Sequence, residues 1–264
     1  MIPADIITVV RDPKNVLGKQ FSLNDDGSIN KKANVQASFL EAIQHHVPDA
    51  KSLKMLFSEV SEDSHAAVIN SAFPLVDVGK PFLILSENEF LKKGIKRNDG
   101  NMSWPVEIQY KKKMWPALGR FKEHTSPSSW ILLDRDVDKH TPSHYANMSY
   151  DEWLTKVDKL MPGLLNCARL RVQSSSARVY VSGVPVGGGN GHTWVQVQNP
   201  EDINRLRTVV KARAIALRMS WTKPRYSKNT GEVIGKDIAS IIDWSVFTTG
   251  RLVFVGKPEV HNAI

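Results

Sequence analysis

Apolar positions recur along this chain with two different periods, and the switches between them predict where elements begin and end. The stretch NVQASFLEAIQHHV (34–47) has the apolar spacing of one helix face, and KPFLILS (80–86) reads as a strand. From residue 128 the pattern sharpens. SWILLD (129–134) predicts a strand. SYDEWLTKVDKLMPG (149–163) predicts a helix, with Ser149 and Glu152 as a capping-box pair, Trp153, Leu154, Val157 and Leu160 as its apolar stripe, and Pro162-Gly163 as its stop. ARVYVSG (177–183) alternates as a strand, with Val179 and Val181 on one face and Arg178, Tyr180 and Ser182 on the other. A Gly-rich turn, GGGNG (187–191), leads back into HTWVQVQ (192–198), where Val195 and Val197 alternate with His192, Trp194 and Gln196. Asn199 then caps a helix with Pro200 in its first turn, and Ile203, Leu206, Val210 and Leu217 fall on one side of it. ASIIDWSVF (239–247) is the expected fourth strand and RLVFVG (251–256) a further one, while WTKPRYSKNTGEVIGKD (221–237) reads as a basic, turn-rich loop.

The second half therefore has the order β-α-β-β-α-β, which predicts an α+β fold with a ferredoxin-like or RNA-recognition-motif (RRM-like) subdomain over 126–264, preceded by a mixed α/β subdomain over 1–125. In such a unit the first strand is central, flanked by the fourth and third. Asp134 and Asp136 lie at the end of the first strand and share a face by the period of two. His192 opens the third strand, and parity puts Asp243 with Ser245 on the open face while Ile242, Trp244 and Val246 turn toward the helices. The expectation is that three carboxylates and a histidine converge on one patch.

Charge adds a partner to this picture. Lys and Arg number 35 against 27 Asp and Glu, and the pI is near 9.5, which makes a polyanion the first partner to consider. The basic residues concentrate at 92–122, interleaved with Trp104, Tyr110 and Trp115, and at 222–236; both stretches are candidates for contact with single-stranded DNA, with a solvated charged face as the alternative. No apolar run reaches a membrane span and the N-terminus lacks a signal-peptide core, so a cytoplasmic protein without membrane contact is expected. The single cysteine, Cys167, excludes an internal disulfide and a cysteine-rich zinc knuckle, and reads as a buried thiol; His140 and His144 read as exposed loop residues.

Two carboxylates about 4 Å apart repel by roughly 4 kcal/mol at an effective dielectric near 20. Hard divalent cations, Mg²⁺ or Mn²⁺, are the natural neutralising group, since they take carboxylate and phosphate oxygens. Paired ions activate an attacking oxygen and hold a leaving pyrophosphate.

The segments LLDRDVD (132–138), SSSARVYVSG with GGGNGHTWVQV (174–197) and IIDWSVFTTGRLVF (241–254) together resemble the three motifs of the archaeo-eukaryotic primase superfamily, in particular the primase-polymerase domains of phage and plasmid replication proteins. The resemblance covers 128–256 and reaches the first half only weakly. It implies that Asp134, Asp136 and Asp243 bind two catalytic Mg²⁺ or Mn²⁺ ions, that His192 contacts the incoming NTP or dNTP, and that Arg251, eight residues beyond Asp243, binds its triphosphate. Ser175, Ser176 and Arg178 of the second motif are further nucleotide-binding candidates, and Asn190 stands where the family often has serine. The implied activity is template-dependent nucleotidyl transfer, as a DNA primase, a DNA polymerase or both, in a mobile-element replicon of a bacterial or archaeal cell. A helicase is an implied partner, and GEVIGKD (231–237) lacks the spacing of a Walker loop, which places that partner outside this chain.

Two other readings use the same topology. A non-catalytic RNA-recognition module would stack bases on sheet aromatics, for which Trp194 and Tyr180 are available. A rolling-circle nicking endonuclease would need a His-x-His pair, and the chain has none.

Overall fold

The computed structural model describes residues 5–24, 26–33, 37–97, 103–173, 179–181, 184–185, 191–227 and 230–261. Among these, the first half builds a large mixed sheet. Its strands are β1 (Ile6–Arg11), β4 (Phe39–His46), β5 (Ala66–Ile69), β6 (Pro81–Leu85), β7 (Val106–Tyr110), β8 (Lys113–Gly119) and, from the far end of the chain, β14 (Leu252–Val253). They lie in the order β14-β5-β1-β4-β6-β8-β7, antiparallel throughout except for the β6/β8 pair. β2 (Lys19–Leu23) and β3 (Ile29–Ala33) form a smaller sheet that β15 (Glu259–His261) joins in parallel with β2. Strands near both chain ends thus return to the same half of the molecule.

The helix expected within 34–47 is a strand. In β4, Leu40, Ala42 and Gln44 are buried in alternation, and β1 and β6 pair with it on either side. Its apolar residues satisfy both periods, and two hydrogen-bonding neighbours outweigh helical spacing. The segment's first residues, 34–36, lie outside the described ones. The following helix, α1 (Ala50–Val60), is capped by the Asp49 carboxylate, which accepts from the Ser52 amide at 2.7 Å, and it buries Leu53, Leu56, Phe57 and Val60.

The second half holds a three-stranded antiparallel sheet: β9 (Trp130–Asp134), β10 (Arg169–Gln173) and β11 (Gly191–Gln196), in the order β9-β11-β10. Between β9 and β10 runs α2 (Tyr150–Leu160), with the expected capping box and the expected buried stripe of Trp153, Leu154, Val157 and Leu160. After β11 comes α3 (Ile203–Ala216), preceded by a 3₁₀ turn at Pro200–Asp202 in which the Asn199 side chain makes no cap bond. Ile203 and Val210 are buried as expected, but Leu217 is exposed where the helix ends.

Three further expectations are corrected. The strand that pairs with β11 is Arg169–Gln173 rather than 177–183; among the described residues of that stretch, Tyr180–Val181 pairs with Val184–Pro185. The stretch 221–237 is mostly strand: β12 (Ser220–Tyr226) pairs with β13 (Val233–Ser240). That hairpin absorbs the start of the expected fourth strand, and the rest, 241–247, makes no ladder. The Ser240 hydroxyl donates to the Ile242 carbonyl at 2.8 Å and accepts from its amide at 3.1 Å, and the Asp243 carboxylate caps a 3₁₀ turn, Trp244–Phe247. Side chains that bond nearby backbone offer the chain an alternative to sheet pairing. Cys167 is exposed, donating to the Gly163 carbonyl at 3.3 Å, so the buried thiol is also corrected.

One core cluster joins Ile7, Phe57 and Val68 of the first half to Trp130, Trp153, Trp194 and Ile242 of the second. Trp130 donates its indole N–H to the Val47 carbonyl, and Trp153 to the Ile241 carbonyl, each at 2.6 Å. No described helix is long and apolar enough to cross a membrane. Replacing Trp130 by Phe keeps most of the ring volume but leaves the buried Val47 carbonyl unpaired. The expected loss is about 1–3 kcal/mol, read as a lower urea midpoint with an unchanged slope; an unchanged midpoint would show that the bond adds no stability.

Candidate active site at the end of a buried strand

β9 reads WILLD, four buried apolar residues followed by an aspartate, and the site begins where the core stops. Asp134 stands directly opposite His192 in the β9/β11 ladder, so their side chains share a face. The Asp243 amide donates to the Asp134 carbonyl at 3.0 Å, which brings the third motif against the first. Although 241–247 is not a strand, Ile242 and Val246 are buried while Asp243 and Ser245 remain partly open, as the expected parity had it.

The Asp243 carboxylate accepts from the Ser245 amide at 2.9 Å and from its hydroxyl at 2.6 Å. Arg251 reaches the same carboxylate at 3.5 Å and donates to the Ser245 hydroxyl, so its guanidinium is held on the 3₁₀ turn. Two adjoining cavities flank this junction. The first, about 450 Å³, is lined by Asp134, His192 and Arg251 together with Lys19, Arg120 and the apolar Leu132, Val246, Leu252, Val253 and Phe254. The second, about 340 Å³, takes Asp136 and Asp243 with Asp138, Asp237, Lys211, Lys223, Trp221 and Trp244 among its walls. One is basic with a single carboxylate, and the other is dominated by carboxylates.

Burial raises the Asp134 carboxyl above its ordinary range, and the neighbouring Asp243 raises it further, against the opposing pull of Lys19 and Arg251. Asp136 is raised too, by partial desolvation and then by Asp134, although its side chain remains exposed and water screens the effect. His192 is held down to about 4 by burial, with Lys19 and Arg251 adding to the shift, so its ring is neutral at pH 7. Its Nδ1 is buried and has no hydrogen-bond partner. Asp138 pairs with Lys223 at 3.0 Å.

The donors at the junction are carboxylate oxygens, which fits a hard divalent cation. Among the described residues no three His, Cys, Asp or Glu side chains are gathered closely enough to hold one ion as they stand. Asp243 in particular is engaged by Ser245 and Arg251. Ser175, Ser176, Arg178 and the turn at 187–190 lie outside the described residues. Lys19 was not legible as a site residue, since no local motif marks it; Arg120 and Lys223 lie in the basic stretches expected to contact DNA, and only the fold brings them to these cavities.

Trp194, expected on an open sheet face, is fully buried, with the edge of its ring system against Phe57 of α1 at 5.1 Å. Since Trp194 shares a face with His192 and Leu132, the first half covers that face and leaves the cavity at its Asp134 end. In the basic stretch 92–122, Trp104 packs on Phe90 and His124, and Glu41 holds both the Tyr110 hydroxyl and the Lys111 ammonium at 2.6 Å. These rings are used in packing.

Because the Asp134 carboxyl binds its proton more tightly folded than unfolded, it favours the fold below the ordinary value of 3.8, and that contribution is lost as pH rises through the raised one. The Asp134→Asn variant is therefore expected to be at least as stable as the wild type at neutral pH without divalent ions. Its relative advantage should shrink as pH falls toward 3.8, measured by urea unfolding across that range. A difference that does not vary with pH would contradict the assignment.

Comparison with known proteins identifies no relative: no family model matches the chain, and no curated protein or solved structure matches it.

Proposed function

We propose that this chain is a template-dependent nucleotidyltransferase, a DNA primase or polymerase of the archaeo-eukaryotic primase type, acting on single-stranded DNA in the cytoplasm. The observation that carries the reading is the side-by-side placement of a basic cavity and a carboxylate-rich one, joined at Asp134 and Asp243. A nucleoside triphosphate with its divalent ions presents the complementary charges in that same order. The strand order β9-β11-β10, with 241–247 beside β9, supports an RRM-like arrangement in which the fourth position is reduced to one backbone bond.

In the proposed reaction the 3′-hydroxyl of a growing strand attacks the α-phosphorus of the nucleotide, forming the O3′–P bond as the bond to pyrophosphate breaks. Asp134, Asp136 and Asp243 would hold the divalent ions, which when bound acidify the hydroxyl and neutralise the leaving pyrophosphate. Neutral His192, which lines the basic cavity, would offer a phosphate oxygen a ring N–H without adding a charge. Arg251, held by Ser245 and Asp243, lines the basic cavity and would bind the triphosphate there. Preorganised donors of this kind lower the barrier because they need no reorientation as charge shifts to the leaving group. Ser175, Ser176 and Arg178 are proposed to add contacts to the same phosphates. The buried Trp194 disfavours the base-stacking module, which would need that ring exposed.

Wild-type protein incubated with single-stranded DNA, labelled NTPs or dNTPs and Mg²⁺ or Mn²⁺ should synthesise strands, and Asp243→Asn should lower the rate by at least about a hundredfold. Absence of synthesis by the wild type under every combination, or full synthesis by the variant, would overturn the proposal. DNA affinity should persist in that variant. It should also fall with salt, log K dropping about 0.7 per neutralised phosphate for each tenfold rise in salt concentration; affinity independent of salt would exclude the basic surfaces as the template path.

A further inference from the structure

Two of the cations in the basic cavity come from outside the motif-bearing half. Lys19 is the first residue of β2, and Arg120 follows the end of β8. Both line one cavity with Asp134 and His192, and the Lys19 charge is felt by both of those residues. The backbone before Arg251 runs past Arg120: Gly250, at φ +72°, lies in ordinary contact distance of the Arg120 carbonyl, and its amide donates to the Ser71 hydroxyl at 2.8 Å. Thr125 and Thr249 meet through their hydroxyls at 3.5 Å along the same seam.

We infer that Lys19 and Arg120 are phosphate-binding residues, supplied by the N-terminal half, that grip the terminal phosphates of a nucleoside triphosphate opposite His192 and Arg251. This rests on the nucleotidyltransferase reading of the site. Three cations face one carboxylate in this cavity, and its floor is apolar, so an anion is the complementary occupant. Its volume of about 450 Å³ is that of a small-molecule site, whereas a continuous strand needs an open groove. Burial and the nearby Lys31 depress the Lys19 ammonium, and burial depresses the Arg120 guanidinium. His192, neutral and itself part of the lining, completes the wall with a ring that adds no charge. The N-terminal half would then be part of the nucleotide site as well as a cover for the sheet.

Inorganic tripolyphosphate, a nucleoside triphosphate and single-stranded DNA, each titrated into the full chain, separate the sources of phosphate. Lys19→Gln and Arg120→Gln should each weaken tripolyphosphate and nucleotide binding by about tenfold or more, the effect of a lost charge-assisted contact, with DNA affinity unchanged. Lys19→Arg and Arg120→Lys should retain most of the affinity. In the wild type, tripolyphosphate should slow acetylation of Lys19, read by mass spectrometry, which decides the matter even where a Gln variant fails to fold. Wild-type nucleotide affinity in both Gln variants, an unprotected Lys19, or loss of DNA affinity alone would overturn the inference. Tripolyphosphate binding that needs both residues, in a chain that synthesises no strand, would sustain the phosphate site and remove the transferase; strand synthesis with unchanged nucleotide KM in both Gln variants would do the reverse.

Discussion

The hydrogen bond from the Asp243 amide to the Asp134 carbonyl, 3.0 Å long, is the contact on which the site depends. It is the one backbone link by which the third motif replaces a whole strand ladder, and it sets two carboxylates near each other at the edge of the core. Their repulsion is visible in Asp134, whose carboxyl is raised by burial and then by Asp243. Ser245 and Arg251 take up part of the Asp243 charge, and Lys223 takes up that of Asp138, while burial and the neighbouring carboxylates still raise Asp134 and Asp136. A fold seldom keeps such a cluster without a counter-charge.

The arrangement around that bond divides by sign. Toward the N-terminal half the walls carry Lys19, Arg120 and Arg251, and toward the β12/β13 hairpin they carry Asp136, Asp138 and Asp237. The division follows from topology. β9 ends between the two halves, and the N-terminal half closes over the β9/β11 face through Phe57 on Trp194, so the open end of that face becomes a cavity instead of a stacking surface. The helices α2 and α3 and the shared core hold the geometry from the other side, through Trp153 bonded to the Ile241 carbonyl just before Asp243.

Much of this was legible where the determinants are local. The capping box of Ser149 and Glu152, the four-residue stripe of α2 and the apolar run ending at Asp134 are short-range patterns, and each is present as read. The juxtaposition of Asp134 with His192 followed from strand order and parity, and the ladder places them opposite. What sequence did not reveal depends on distant partners. Residues 39–46 became a strand because β1 and β6 flank them; 241–247 makes no ladder because Ser240 and Asp243 bond nearby backbone; and Trp194 was buried by a helix more than a hundred residues upstream. Lys19 and Arg120 carry no motif, and only the closure of the first half onto the second shows where they point.

The central claim is that the acidic and basic cavities serve one ligand, a nucleoside triphosphate with its divalent ions. Calorimetric titration of Mn²⁺ into the protein with and without a non-hydrolysable nucleoside triphosphate tests it most directly, because coupling between two sites must be reciprocal. The account predicts that nucleotide tightens Mn²⁺ binding by at least about tenfold beyond the affinity of the nucleotide itself for the ion, and that Mn²⁺ tightens nucleotide binding by the same factor. Independent binding of the two, or no binding of either, would contradict it.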